Sequence, residues 1–166
     1  MRVDWATVYR ETYADLVRFL HRKVWDADQA RDLAQETFVR ALDHDPDNPR
    51  AFVFTIAANL ARDEARAAVR RKKHLALVKA DSRDGSNGTN DDIDAERMAL
   101  VRQALEQLSE RDREALLLWD AGFSYPEIAA QTGLAVGAVG TTLARARKRL
   151  VDAMPQTVAG QQQGHG

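Results

Sequence analysis

Residues 124–150 read SYPEIAAQTGLAVGAVGTTLARARKRL. This stretch decides the fold class. Ser124 and Glu127 have the spacing of a capping box, in which each side chain satisfies an amide at a helix start. Pro126 falls in the first turn, where its missing N–H is no loss. Gly133 ends this short helix. A longer helix runs from about Val136 to Met154. Ile128, Ala129, Leu134, Val139 and Leu143 are spaced to close a small core between the two helices. Such a helix-turn-helix presents the N-terminal part of its second helix to a DNA major groove. Arg145, Arg147, Lys148 and Arg149 follow on that helix, where cations can grip phosphates.

Upstream of it, Met98, Val101, Leu105 and Leu108 mark one helix. Ser109 is placed to cap another, which carries Ala115, Leu116 and Trp119 and stops at Gly122. The stretch Asp81-Ser-Arg-Asp-Gly-Ser-Asn-Gly-Thr-Asn-Asp-Asp92 is polar, holds two glycines and has no apolar residue to anchor it. It reads as a flexible acidic linker. The boundaries that follow are a first domain over 1–80, a linker over 81–94, a second domain over 95–155 and a disordered tail over 156–166.

The first domain also reads as helix. Trp5, Val8, Tyr9, Leu16, Val17, Leu20 and Val24 share a face over residues 3–24. Asp26 or Asp28 can cap the next helix, whose stripe is Ala30, Leu33, Ala34, Thr37, Phe38, Ala41 and Leu42. Asp43-His-Asp-Pro-Asp-Asn-Pro49 breaks the pattern as a loop. A third helix starts near Arg50 and runs to about Lys73 or beyond. Val53, Ile56, Ala57, Leu60, Ala61 and Ala68 fall on one arc of it. Phe52, Thr55, Asn59, Arg62, Arg66 and Arg70 line the other. An aromatic, an amide and three guanidinium groups in one stripe suit melted DNA: the ring stacks on a base and the arginines follow the backbone. No alternating apolar run suggests a strand, so the expected class is all-α, two small helical domains, the second a helix-turn-helix.

The chain has 166 residues, 24 Lys and Arg against 25 Asp and Glu, and no Cys. The near-zero net charge hides a segregation. Residues 50–80 carry 8 cations and 2 anions, whereas residues 81–120 carry 5 and 11. Without Cys there are no disulfides, thiolate metal sites or thiol nucleophile, which suits a reducing cytoplasm. No apolar run reaches the roughly 18 to 20 residues of a membrane span. The first 16 residues carry acids where a secretion signal would carry an apolar core. Asp32 and Glu36, four apart on one helix face, could bind a metal or do acid–base work, but no His joins them at ligand spacing. Catalytic residues, metal and cofactors are therefore all expected to be none. A protein-docking surface over Arg31, Asp32, Gln35, Glu36 and Arg40, or simple solvation of that face, is more economical.

With these pieces in order, the chain resembles an extracytoplasmic-function sigma factor of bacterial RNA polymerase. Asp32-Leu-Ala-Gln-Glu-Thr-Phe38 is similar to the family's D-L-x-Q-E-x-F segment, and Phe52-Val-Phe-Thr-Ile-Ala-Ala-Asn59 to its W-L-x-x-I-A-x-N stretch. Leu105-Glu-Gln-Leu-Ser-Glu-Arg-Asp-Arg113 and residues 125–150 are similar to its C-terminal helix-turn-helix region. The resemblance implies that Asp32, Gln35, Glu36 and Arg40 bind core RNA polymerase. It implies that the loop of residues 43–50, with Phe52, Asn59, Arg62, Arg66 and Arg70, holds a melted minus-ten element of promoter DNA. Thr141, Thr142, Arg145, Arg147 and Lys148 would bind the duplex minus-thirty-five element. An anti-sigma protein is an implied partner, with no membrane association. Phe52 replaces the family's frequent Trp. Gly140 and Thr142 stand near positions where the family often has Lys and Arg, so weak base readout upstream is expected, with more reliance on DNA shape and phosphates. The alternatives are a conventional helix-turn-helix regulator, which would bind two-fold symmetric duplex sites alone, and a helical enzyme using Asp32 and Glu36.

Overall fold

The computed structural model describes residues 2–78 and 92–154. They form seven helices: α1 (Trp5–Val24), α2 (Ala27–Ala41), α3 (Pro49–Val78), α4 (Asp92–Glu106), α5 (Glu110–Asp120), α6 (Tyr125–Thr132) and α7 (Val136–Ala153). No strand occurs among the described residues. The chain divides into two compact units, residues 1–84 and 85–166. Most of the expected linker, and the tail from residue 156, lie outside the described residues. Asp92–Asp94, placed in the linker by composition, open α4. No described helix is long and apolar enough to cross a membrane.

In the first unit, α1, α2 and α3 pack on one another. Short side chains start each helix. Asp4 accepts from the Thr7 amide, Asp26 from the Gln29 amide and Asn48 from the Ala51 amide. Each satisfies a donor that the helix itself leaves unpaired. Trp25, at φ 58°, ends α1 in the left-handed conformation, with its amide on the His21 carbonyl. Ala30, Ala34 and Ala41 of α2 and Ala57, Ala58 and Ala61 of α3 are buried. These small side chains let the backbones approach, and Leu16, Phe19, Leu20, Phe38, Val53 and Phe54 fill what remains. Phe54 is fully buried, edge-on to Phe19 at 5.0 Å, with the Arg50 guanidinium over its ring at 5.1 Å. Burying such a ring contributes roughly 3 kcal/mol. The sequence-derived arc leaves out Phe54, yet Phe54 lies three residues before Ala57 and seven before Ala61, at the edge of that arc, and α3 packs on both α1 and α2.

Two expected core residues are exposed. Leu42 caps the C-terminus of α2 and is 56% exposed, because the chain turns away after Ala41. Ala68 is exposed because α3 outruns its partners. Its 30 residues extend about 45 Å, against about 30 Å for the 20 of α1. From Arg62 to Ala76, only Glu64 and Ala67 are even half-buried. The bare second half of α3 is therefore a consequence of length.

In the second unit, Leu105, Leu108, Leu117, Leu118, Phe123, Ile128, Val139, Leu143 and Ala146 form the core. The Ser109 cap is present on α5. At α6 the Ser124 amide donates to Glu127 Oε1 at 2.8 Å and the Glu127 amide donates to Ser124 Oγ at 3.3 Å, closing the expected box. Gly133, at φ 82°, ends α6 in a conformation that strains any residue with a Cβ. Leu134 is half-buried, and the other four expected core residues of this motif are buried. Leu117 and Leu118, which the pattern passes over, turn inward on α5, whereas Trp119 is 41% exposed.

Candidate nucleic-acid interface

The stripe expected on α3 is on its surface. Thr55, Asn59, Arg62, Arg66 and Arg70 are all exposed. Arg62 Nη1 donates to Asn59 Oδ1 at 2.9 Å. Arg66 and Arg70 extend the line one turn at a time. Arg71 falls on another face of the helix, where its guanidinium pairs with Glu64 Oε2 at 3.0 Å. That hydrogen bond, with help from Gln29 on α2, holds the Glu64 carboxyl below its ordinary range. Phe52 is half-buried at the N-terminal end of the stripe, and the His44 ring lies 5.2 Å from it, tilted by 48°. No sequence signal marks His44, since a lone His in an acidic loop carries no pattern.

The polar face of α2 is also exposed. Asp32, Gln35, Glu36 and Arg40 all face outward. Arg40 Nε donates to Glu36 Oε2 at 2.8 Å. Gln35 Nε2 donates to the Tyr9 hydroxyl at 3.0 Å. Tyr9 is itself held by Tyr13 and Phe38 rings, each 4.9 Å away. The face is thus an ordered mixed-charge surface anchored to α1. Among the described residues no group of three or more His, Asp or Glu could hold a metal ion.

On α7 the expectations divide. Thr141 and Arg145 are exposed, as are Arg147 and Lys148. Thr142, expected to contact DNA, is only 3% exposed and packs inward instead. It lies three residues after Val139 and four before Ala146, on the inward face that both occupy. Arg145 forks onto Asp112 of α5, with Nη2–Oδ1 at 3.0 Å and Nε–Oδ2 at 3.3 Å. The Asp112 side chain is 7% exposed, and its hydrogen bond and charge raise the Arg145 pKa further. Arg147 sits over the Trp119 ring at 6.0 Å, and Lys148 pairs with Asp152 at 3.4 Å. Trp119 and Tyr125 lie 5.6 Å apart and are both partly exposed. The Tyr125 ring covers Gly140: a Cβ there would meet it at 3.4 Å. The front of α7 is therefore smooth, and its cations Arg145, Arg147, Lys148 and Arg149 follow later on the helix.

Comparison with known proteins adds a second line of observation. Residues 8–71 match the family model "Sigma-70 region 2", and residues 98–150 match "Sigma-70, region 4". The chain is 37% identical over 131 residues to the ECF RNA polymerase sigma factor EcfG of Rhodopseudomonas palustris, covering 75% of this chain and 71% of that one. It is 35% identical over 145 residues to the ECF RNA polymerase sigma factor SigL of Mycobacterium tuberculosis, covering 82% and 80%. Among solved structures, it is similar to the sigma factor RpoE of Bartonella quintana, in complex with the anti-sigma factor NepR. The TM-score is 0.66 at 28% identity, covering 90% of this chain and 96% of that one. It is also similar to CnrH, in complex with the cytosolic domain of CnrY, at a TM-score of 0.65 and 27% identity, covering 89% and 85%.

Proposed function

This chain belongs to the extracytoplasmic-function class of RNA polymerase sigma factors, transcription initiation factors that direct promoter recognition, and we propose that its two units divide that task between them. The first unit docks core RNA polymerase through Asp32, Gln35, Glu36 and Arg40 of α2. It holds the melted minus-ten element with the loop of residues 43–50, Phe52 and the stripe Asn59, Arg62, Arg66 and Arg70. The second unit binds the duplex minus-thirty-five element with Thr141, Arg145, Arg147 and Lys148. Thr142 contributes packing and touches no DNA.

One observation carries this reading. A single three-helix unit exposes two different faces, a mixed-charge one on α2 and a cationic one on α3. A factor that joins an enzyme to DNA needs both. Single strands are bound by aromatic platforms and backbone-following cations, which is the composition of the α3 face. The smooth front of α7 supports upstream binding by phosphates and DNA shape more than by base edges. The match of the first unit to region 2 leaves a conventional helix-turn-helix regulator without support.

The chain has no catalytic role of its own in this reading, needs no cofactor and works in the cytoplasm. The complexes of RpoE with NepR and of CnrH with CnrY support an anti-sigma protein as a further partner. The test is a pull-down with core polymerase and a multi-round transcription assay. Reversing Asp32 and Glu36 to Lys should remove polymerase binding while leaving the helical content unchanged. Undiminished binding by that variant would refute the docking face. If the wild-type chain starts no transcripts with core polymerase, the whole reading is refuted.

A further inference from the structure

The loop between α2 and α3 is held by the chain that precedes α1. Its two ends are fixed by helix termini: the His44 amide donates to the Ala41 carbonyl at 3.0 Å, and Asn48 caps α3. Two hydrogen bonds reach its middle from residues 3–5. The Val3 amide donates to Asp45 Oδ1 at 2.8 Å, and Trp5 Nε1 donates to the His44 carbonyl at 3.3 Å. Asp4, between them, is clamped to α1 through Thr7, whose hydroxyl donates to Asp4 Oδ2 at 2.6 Å. The strap is thus rigid on its helix side and bonded on its loop side. Pro46 biases Asp45 towards an extended backbone, the conformation in which its carboxylate meets the strap.

We propose that residues Val3, Asp4 and Trp5 are positioning residues for promoter recognition: they hold the loop of residues 43–48 so that His44 stays beside Phe52 at the head of the α3 stripe. The proposal rests on the reading of that stripe as the minus-ten interface. The strap does two things. Trp5 fixes the peptide that carries the His44 ring, which keeps the two rings 5.2 Å apart. Val3 draws one of three loop carboxylates, Asp45, onto a backbone amide. That keeps a negative charge from swinging towards the path of a phosphate backbone. No strap residue touches DNA in this scheme; each acts through the loop.

The test uses the full chain with Trp5→Phe, which keeps an aromatic ring and loses the donor, and Trp5→Phe/Asp45→Ala, which removes both loop bonds. Two readouts are needed. The first is amide hydrogen exchange of residues 43–48 in the free protein, which should speed up while α1 and α3 stay protected. The second is competitive transcription with core polymerase from promoters that differ only in the minus-ten element. Discrimination should fall about three- to tenfold in the single variant, the range one ordinary hydrogen bond supports. It should fall further in the double variant. Discrimination among upstream elements and affinity for core polymerase should not change. Unaltered loop exchange overturns the proposal, and so does faster exchange with unaltered minus-ten discrimination. If the wild-type chain does not discriminate minus-ten sequences at all, the functional reading fails and takes this one with it; the two failures are distinguished by the wild-type lane.

Discussion

The two units each carry a line of cations, but they hold them differently. On α3, Arg66 and Arg70 are exposed with no ion-pair partner among the described residues, and Arg62 donates to a neutral amide. On α7, three of the four cations have a partner: Arg145 is forked onto Asp112, Arg147 lies on Trp119 and Lys148 faces Asp152, while Arg149 is exposed with no ion-pair partner among the described residues. An exposed guanidinium gives its full charge to an incoming phosphate. One already paired must share it or exchange partners, so it positions better than it attracts. Under the proposed function, the first unit should supply more of the salt-sensitive affinity and the second more of the register. The smooth front of α7, with Tyr125 laid over Gly140, fits that division.

The largest effect should come from stripping the first line. Arg62→Ala/Arg66→Ala/Arg70→Ala should lower promoter opening about a hundredfold at moderate salt. It should also flatten the dependence of log affinity on log salt by about 2, at roughly 0.7 for each single-strand phosphate no longer neutralised. Binding of holoenzyme to promoter DNA, measured across a salt series, gives both numbers. A variant with the wild-type salt slope would mean that these arginines are merely solvated, and the contrast between the units would collapse.

The second line should respond to a cycle. Arg145→Ala alone should lower both the melting temperature and upstream-element binding, because it leaves the buried Asp112 carboxylate unpaired as well as deleting a cation. Arg145→Ala/Asp112→Ala should recover the melting temperature but leave upstream binding about tenfold weak, since a charged grip on phosphate is still missing. Thermal melts and binding to an upstream duplex decide it. If the double variant regains full binding, Arg145 is a structural residue, and the second unit grips DNA with others.

How much of this is legible from residues alone follows the distance over which each feature is determined. The Ser124–Glu127 box, the Gly133 stop and the Asp26 and Ser109 caps are set within four residues, so spacing finds them. The α3 stripe is set by helical period and is found as readily. Arg145–Asp112 and Trp5–His44 join residues 33 and 39 apart, and no local period encodes them. Thr142 is a different case. Its inward place follows from Val139 and Ala146 by counting, whereas resemblance to a family position points it outward. Leu42 and Ala68 have apolar-stripe positions, yet the stripe cannot say where a partner helix ends.

The smallest effect sharpens the contrast from the acid side. Glu64 is the carboxylate that pairs with Arg71, the cation beside the α3 line, and that bond depresses its folded pKa below the ordinary 4.5. The unfolded chain binds the proton more readily, so this contribution to stability is fully present above pH 4.5 and is lost as pH falls through the folded value. Glu64→Gln should therefore leave a shallower acid limb in the melting temperature, with little change near neutrality, because the pair is solvent-accessible. It should also free Arg71 and so steepen the salt dependence of DNA binding slightly, by less than one neutralised phosphate. The two shifts have opposite consequences, a small loss of fold and a small gain of attraction. Seeing both in one variant would mean that pairing decides how much of each cation the DNA feels.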